Sequence, residues 1–308
     1  MDVLRTPDEC FENLPGYPFA PQWTEVSATG GDGDVTLRMH HIDEGPADAA
    51  DTVLLMHGEP SWSYLYRHMV PPLVEAGLRV VAPDLVGFGR SDKPASTDDH
   101  TYARHVAWTT EWLLANDLDG LTLVCQDWGG LIGLRLLAAH PERFRRLVVA
   151  NTGLPTGDRP PTDAFLRWQE FSQTTPVFDC GAIVAMGCTT ALTEDVVAAY
   201  NAPFPDDSFT AGPRRMPALV PTSPEDPEAP ANRAAWEVLE QFDRPTLVAF
   251  SDEDPVTRGG DRAFAKIPGT AHVPAATVTG GGHFLQEDRG PELAALVVDL
   301  VRSKPAAD

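Results

Sequence analysis

Short apolar runs alternate with segments of helical spacing along the first half of the chain. Residues 37–41 end an early alternating stretch, and TVLLMHG at 52–58 reads as a buried strand ending in a turn. LRVVAPD at 78–84 is a further strand, followed by a loop over 85–94 and a helix over 105–115. LTLVCQD at 121–127 is another buried strand, GGLIGLRLLAAH at 129–140 its following helix, and RRLVVAN at 145–151 the next strand. Strands of this kind, apolar throughout and separated by helices, predict an α/β fold with a mostly parallel sheet flanked by helices on both faces. After residue 151 the pattern changes to many prolines and helical fragments, such as 163–172 and 194–200. Strand–helix alternation resumes at 245–254 and 275–283, and a helix over 291–303 closes the chain. The pattern therefore predicts a core of residues 1–154 and 233–308, with a helical cap of 155–232 inserted into it.

The 308 residues suffice for one large core with such an insert. Lys and Arg number 23 against 45 Asp and Glu, a net charge of −22 spread along the chain. A field of that sign repels phosphate backbones, which argues against nucleic-acid and anionic-membrane partners. Lysine is confined to Lys93, Lys266 and Lys304. An acid-rich, Lys-poor surface suits solubility in high salt, and a GC-rich genome would produce the same bias. Cys10, Cys125, Cys180 and Cys188 form no CxxC pair and no metal-ligand spacing, so they read as free thiols of a reducing compartment. The N-terminal residues carry acids and prolines but no apolar signal core, and no run is long enough to span a bilayer. A cytoplasmic location is expected.

The sharpest chemical feature is Cys125-Gln126-Asp127-Trp128-Gly129-Gly130, set between a buried strand and a helix. Small residues at such a junction allow the strained turn of a nucleophile elbow, with Asp127 at the position that serine holds in G-x-S-x-G. A carboxylate there attacks carbon and leaves an ester on the enzyme, which ordinary acyl transfer does not do. The bland reading is a helix N-cap aspartate on a Gly-rich turn. The order of a mid-chain nucleophile, an acid after a late strand and a histidine near the end is that of the α/β-hydrolase fold. His283, in Gly280-Gly281-Gly282-His283-Phe284, is the expected base, with His57 in a turn as its rival. Asp254 is the expected acid that orients the base; Asp252 and Asp261 are nearby alternatives, and Asn151 at the earlier acid position lacks the charge. Backbone N–H groups of Glu59 and Trp128 are the expected oxyanion donors, since His57-Gly58-Glu59-Pro60 occupies the turn that supplies one in this fold.

With these residues in place the chain resembles a haloalkane dehalogenase over nearly its whole length. The motifs that carry the resemblance are RTPD at 5–8, HGEPSWSYLYR at 57–67, APDLVGFGRSDKP at 82–94, VCQDWGG at 124–130 and GGHFLQE at 281–287. It is most similar to the subgroup whose acid follows the late strand. That resemblance implies an α/β-hydrolase fold, hydrolysis of a carbon–halogen bond, no metal or organic cofactor, and a small halogenated aliphatic substrate with water. It also implies halide binding by two indole N–H groups, from Trp128 and, in the first cap helix, Trp168. Trp236 is a weaker rival for the second position, and a monomer or small homo-oligomer is expected.

Three other readings make distinct demands on the residues. An epoxide hydrolase of this fold polarises its substrate with cap tyrosines, and the cap holds only Tyr200. A fluoroacetate-type enzyme needs an arginine clamp, for which Arg135 is the nearest residue in sequence. A silent, ligand-binding member loses nucleophile or base, whereas every role here has an occupant. Phe165, Phe171, Phe178, Val177 and Leu285 are the apolar residues expected to line the pocket.

Overall fold

The computed structural model describes residues 1–28 and 35–303. Its main sheet has eight strands: β1 (Gln22–Ser27), β2 (Thr36–Glu44), β3 (Thr52–Met56), β4 (Arg79–Pro83), β5 (Leu121–Gln126), β6 (Phe144–Ala150), β7 (Thr246–Ser251) and β8 (Ala276–Val278). Their spatial order is β1-β2-β4-β3-β5-β6-β7-β8. β2 pairs antiparallel with both β1 and β4; β4, β3 and β5 to β8 are parallel. The chain leaves β3 to one side for β4 and returns to its other side for β5. At such a switch point the following loops part and leave a crevice beyond the strand ends. Glu59 and Asp127 lie just past those ends.

Every residue of β3 and β5 is buried, as the apolar runs predict. Side chains alternate between two layers. Leu54, Met56, Leu123 and Cys125 pack on one face, while Val53, Leu55 and Val124 pack on the other. Helices α1 (Val70–Glu75), α2 (Tyr102–Ala115) and α3 (Trp128–Ala139) cover these faces. Between β6 and β7 lie α4 (Asp163–Thr174), α5 (Cys180–Gly187), α6 (Glu194–Asn201), α7 (Ala211–Arg215) and α8 (Ala229–Leu239). The expected boundary at 232/233 falls inside α8, which runs unbroken across it. Helices α9 (Asp261–Phe264) and α10 (Leu285–Arg302) complete the chain. Among the described residues no helix is long and apolar enough to cross a membrane.

Where boundaries differ from expectation, local chemistry explains the shift. Helix α2 starts three residues early because Thr101 caps it, its side chain accepting from the Arg104 amide at 3.2 Å. The strand expected over 275–283 is only β8, since glycines at 280–282 release the chain from the ladder. Helix α10 begins before 291 and is kinked at Arg289 (φ −141°, ψ 33°), two residues ahead of Pro291. Pro291 therefore opens the second, straight segment, where a missing N–H costs nothing.

Several histidines are structural. Leu85 donates its amide to His57 Nε2 at 3.0 Å, and His100 and His105 stack with ring nitrogens 3.2 Å apart. Burial pushes both His100 and His41 down to about 4. An unfolded histidine protonates near 6.5, so the folded state loses stability as pH falls from there towards 4. His100 alone should cost about 2 kcal/mol by pH 5. The midpoint of urea unfolding should fall between pH 7.5 and pH 5, and a flat midpoint over that window would contradict this account.

Candidate active site

Asp127 sits in the turn from β5 into α3 with φ 49° and ψ −127°, a conformation that few residues other than glycine adopt. The turn is held from both sides. The Asp127 amide donates to the Asn151 carbonyl at 3.0 Å, while its carbonyl accepts from Gly130 N at 2.9 Å and Thr152 Oγ1 at 2.7 Å. A Cβ on Gly129 would lie 2.0 Å from the Met56 carbonyl oxygen, so only glycine lets the elbow close onto β3. The Glu59 amide donates to Asp127 Oδ1 at 2.8 Å. No hydrogen bond from the Trp128 amide to that carboxylate occurs among the described residues.

His283 stands between two carboxylates, its Nε2 3.4 Å from Asp127 Oδ2 and its Nδ1 3.1 Å from Asp254 Oδ2. Asp254 is only 2% exposed and also accepts from the Val256 amide at 2.8 Å and from the Thr257 hydroxyl. Asp252 instead accepts from the Gly280 amide at the surface, at 2.7 Å. Asp261 begins α9, away from this triad. Burial works against charge on both His283 and Asp254, yet their mutual attraction and hydrogen bonding prevail. Asp254 is held down to about 2, and His283, facing Asp254 and Asp127, is raised to about 10. Burial, reinforced by the Asp127 charge, pushes Glu59 well above the usual carboxylate range.

Asp127 and His283 open onto a cavity of about 1080 Å³ that Phe165, Trp168, Ile183 and Trp128 also line. Of the apolar residues expected there, only Phe165 is present. Leu285 is fully buried in the core, Phe178 lies behind the Trp168 ring (6.1 Å between centroids), and Phe171 and Val177 face solvent. Among the described residues neither the Trp128 nor the Trp168 indole N–H bonds a protein acceptor. Trp236 also lines the cavity, but its N–H is spent on the Leu154 carbonyl at 2.8 Å. Tyr200 lies outside the cavity and donates its hydroxyl to Glu287 at 2.5 Å. Arg135 pairs with Glu228 at 2.5 Å. Neither can reach a substrate beside Asp127.

A family model described as alpha/beta hydrolase fold matches residues 51–289. Haloalkane dehalogenase from Psychrobacter cryohalolentis is 53% identical over 306 residues, covering 99% of this chain and 100% of that protein. Haloalkane dehalogenase from Mycobacterium marinum is 52% identical over 300 residues, 97% and 99% of the two chains. The tetrameric structure of haloalkane dehalogenase DpaA from Paraglaciecola agarilytica superposes with a TM-score of 0.86 at 35% identity, covering 96% of this chain and 97% of that one. The chain belongs to the haloalkane dehalogenases.

In this dehalogenase two residues beyond the expected catalytic set, Asn151 and Gln126, hold the site together. Asn151 stands at the earlier acid position. It is fully buried, and its amide nitrogen donates to the Gly282 carbonyl at 2.8 Å and the His283 carbonyl at 3.1 Å. Its own carbonyl receives the Asp127 amide, so one residue ties the elbow to the histidine loop. Gln126 donates to the same His283 carbonyl at 3.1 Å. Both supports act through hydrogen bonds to backbone groups of a distant loop, for which the sequence carries no signal. If Asp127 helps to hold the imidazole charged, Asp127→Asn should lower the His283 pKa, read by NMR titration of its ring nitrogens. An unchanged value would assign the shift to Asp254 alone.

Proposed function

We propose that this dehalogenase hydrolyses carbon–halogen bonds of haloalkanes, with Asp127 as nucleophile, His283 as base, Asp254 as the acid that orients it, and Trp128 and Trp168 as halide donors. The observation that carries this reading is the pair of uncommitted indole N–H groups lining the cavity with the carboxylate. Oδ1 of Asp127, held by the Glu59 amide, stays behind as the future carbonyl oxygen, and Oδ2 attacks the carbon. The carbon–halogen bond breaks with its electron pair leaving on the halide. Two indole N–H donors stabilise that charge without competing as nucleophiles.

Ester formation removes the Asp127 charge, and with it part of what holds a proton on His283. The imidazole gives up that proton to solvent and then serves as base towards the attacking water. The water oxygen bonds to the Asp127 carbonyl carbon while its proton passes to Nε2. The negative oxygen that forms meets the Glu59 amide, with the Trp128 amide as the second proposed donor. Collapse releases the alcohol, which takes the proton from His283, and the restored carboxyl passes its remaining proton to the imidazole, which returns the site to its starting state.

Residues 1–154 and 233–308 form the catalytic core in this proposal, and 155–232 the cap, with α8 as the return joint between them. The tetrameric DpaA relative supports a small homo-oligomer, and four free cysteines fit a cytoplasmic setting.

Bromide release from 1-bromobutane and 1,2-dibromoethane tests the activity, with styrene oxide as the epoxide control. Asp127→Ala should abolish release, and retained turnover would remove Asp127 from its role. His283→Phe should trap the alkyl ester, visible as a mass increase after exposure to substrate. Trp168→Phe should weaken bromide binding at least about tenfold, measured by quenching of tryptophan fluorescence, through loss of a charge-assisted hydrogen bond. Trp236→Phe, which removes a donor already committed to protein, should change it far less; equal effects would misplace the second halide donor.

A further inference from the structure

The loop that carries His283 is secured by the cap as well as by the sheet. Its amide donates to the carbonyl of Gly187, the last residue of α5, at 2.7 Å. A Cβ on Gly282 would stand 2.4 Å from that same oxygen, so the end of α5 and the loop touch backbone to backbone. Next to them the Asp288 carboxylate gathers three amides. Thr189 N lies 3.0 Å from Oδ2, Thr190 N lies 2.7 Å from Oδ1, and Gly282 N lies 2.8 Å from Oδ2. Two of those amides belong to the cap segment after α5, and the third immediately precedes the histidine. Thr189 adds a bond from its hydroxyl to the Gly280 carbonyl at 2.6 Å. Asp288 itself is 9% exposed and sits in the first turn of α10, five residues beyond His283.

We propose that Asp288 is a positioning residue for His283, joining the cap segment 187–190 to the histidine loop and thereby setting the rate of ester hydrolysis while leaving ester formation largely untouched. The inference rests on the roles given above to Asp127 and His283. The two half-reactions make different demands on the imidazole. Attack by Asp127 needs the elbow and the halide donors, whose supports run through Asn151, Thr152 and Glu59. Hydrolysis needs Nε2 aimed at a water that lies in line with the Asp127 carbonyl carbon, and proton transfer is steep in that alignment. A carboxylate offers two accepting oxygens to three amides. An amide side chain in its place offers one oxygen and turns an N–H towards the donors it must serve. Asp288→Asn thus loosens the histidine loop without changing size.

The two steps separate in rapid-mixing kinetics with 1,2-dibromoethane. Wild-type enzyme should release bromide and pass through the alkyl ester. Asp288→Asn should keep a bromide burst of about one per active site at a rate within about twofold, while ester hydrolysis slows about tenfold or more and the ester mass accumulates. Thr189→Val, which deletes the hydroxyl bond to Gly280 and leaves Asp288 intact, should accumulate ester more weakly, about threefold. Wild-type partitioning between the two steps in both variants overturns the inference, as does an equal loss of burst and turnover in Thr189→Val. If Asp288→Asn loses burst and ester together through failure to fold, Thr189→Val decides alone. Absence of any bromide release from the wild type would instead overturn the underlying reading of Asp127 and His283.

Discussion

One imidazole held between two carboxylates is the interaction on which the rest of this structure depends. His283 reaches Asp127 with one ring nitrogen and Asp254 with the other, in surroundings that leave it 8% exposed. Burial by itself would strip the proton from the ring. The opposing carboxylates favour it, so the imidazole and its two acids form a triad at the wall of the cavity. Such a triad is stable only while every partner is present and aligned, because an unpaired charge in this setting is costly. That constraint accounts for the density of backbone hydrogen bonds around Asn151, Gln126 and Glu59, none of which need carry charge to matter.

The same triad makes the site directional. In the proposed reaction, converting Asp127 to a neutral ester removes one of the two acids facing the ring and so lets the imidazole lose its proton and act as a base. Glu59 fits this electrostatics, since burial and the Asp127 charge both push its carboxyl towards the neutral form. Its backbone N–H does the holding while its side chain fills space near Cys180 and the cavity wall.

The helices between β6 and β7 contribute more than a lid. Trp168 enters the cavity from α4, and the segment after α5 grips the histidine loop. Tyr200 on α6 meets Glu287, which also holds Arg67 in a two-pronged pair at the base of α10. Cap and core therefore meet on both sides of His283. This explains why Tyr200, a chemically plausible group when read along the chain, is structurally committed and takes no place at the reacting carbon.

Sequence by itself determined the local chemistry. Apolar runs at 52–58 and 121–127 specify buried strands, because only a sheet covered on both faces buries every side chain in succession. Asp127 beside Trp128 and two glycines specifies an elbow, because the turn tolerates little else, and His283 and Asp254 follow from chain order. Pocket walls were not legible in the same way. Phe165 and Trp168 face the cavity while Phe171 and Phe178 do not, and that difference is set by the rotation of α4 and the path after it, to which an apolar side chain is indifferent. What separates Trp168 from Trp236 likewise needed tertiary structure, since only there is the Trp236 indole N–H seen to have an acceptor already. Asn151 and Asp288 were invisible as supports for His283 because hydrogen bonds to backbone groups distant in the chain leave no pattern in sequence. Chemistry fixed by one residue type at one turn could be read directly; chemistry shared among carbonyls and amides of separate segments exists only once the chain has folded.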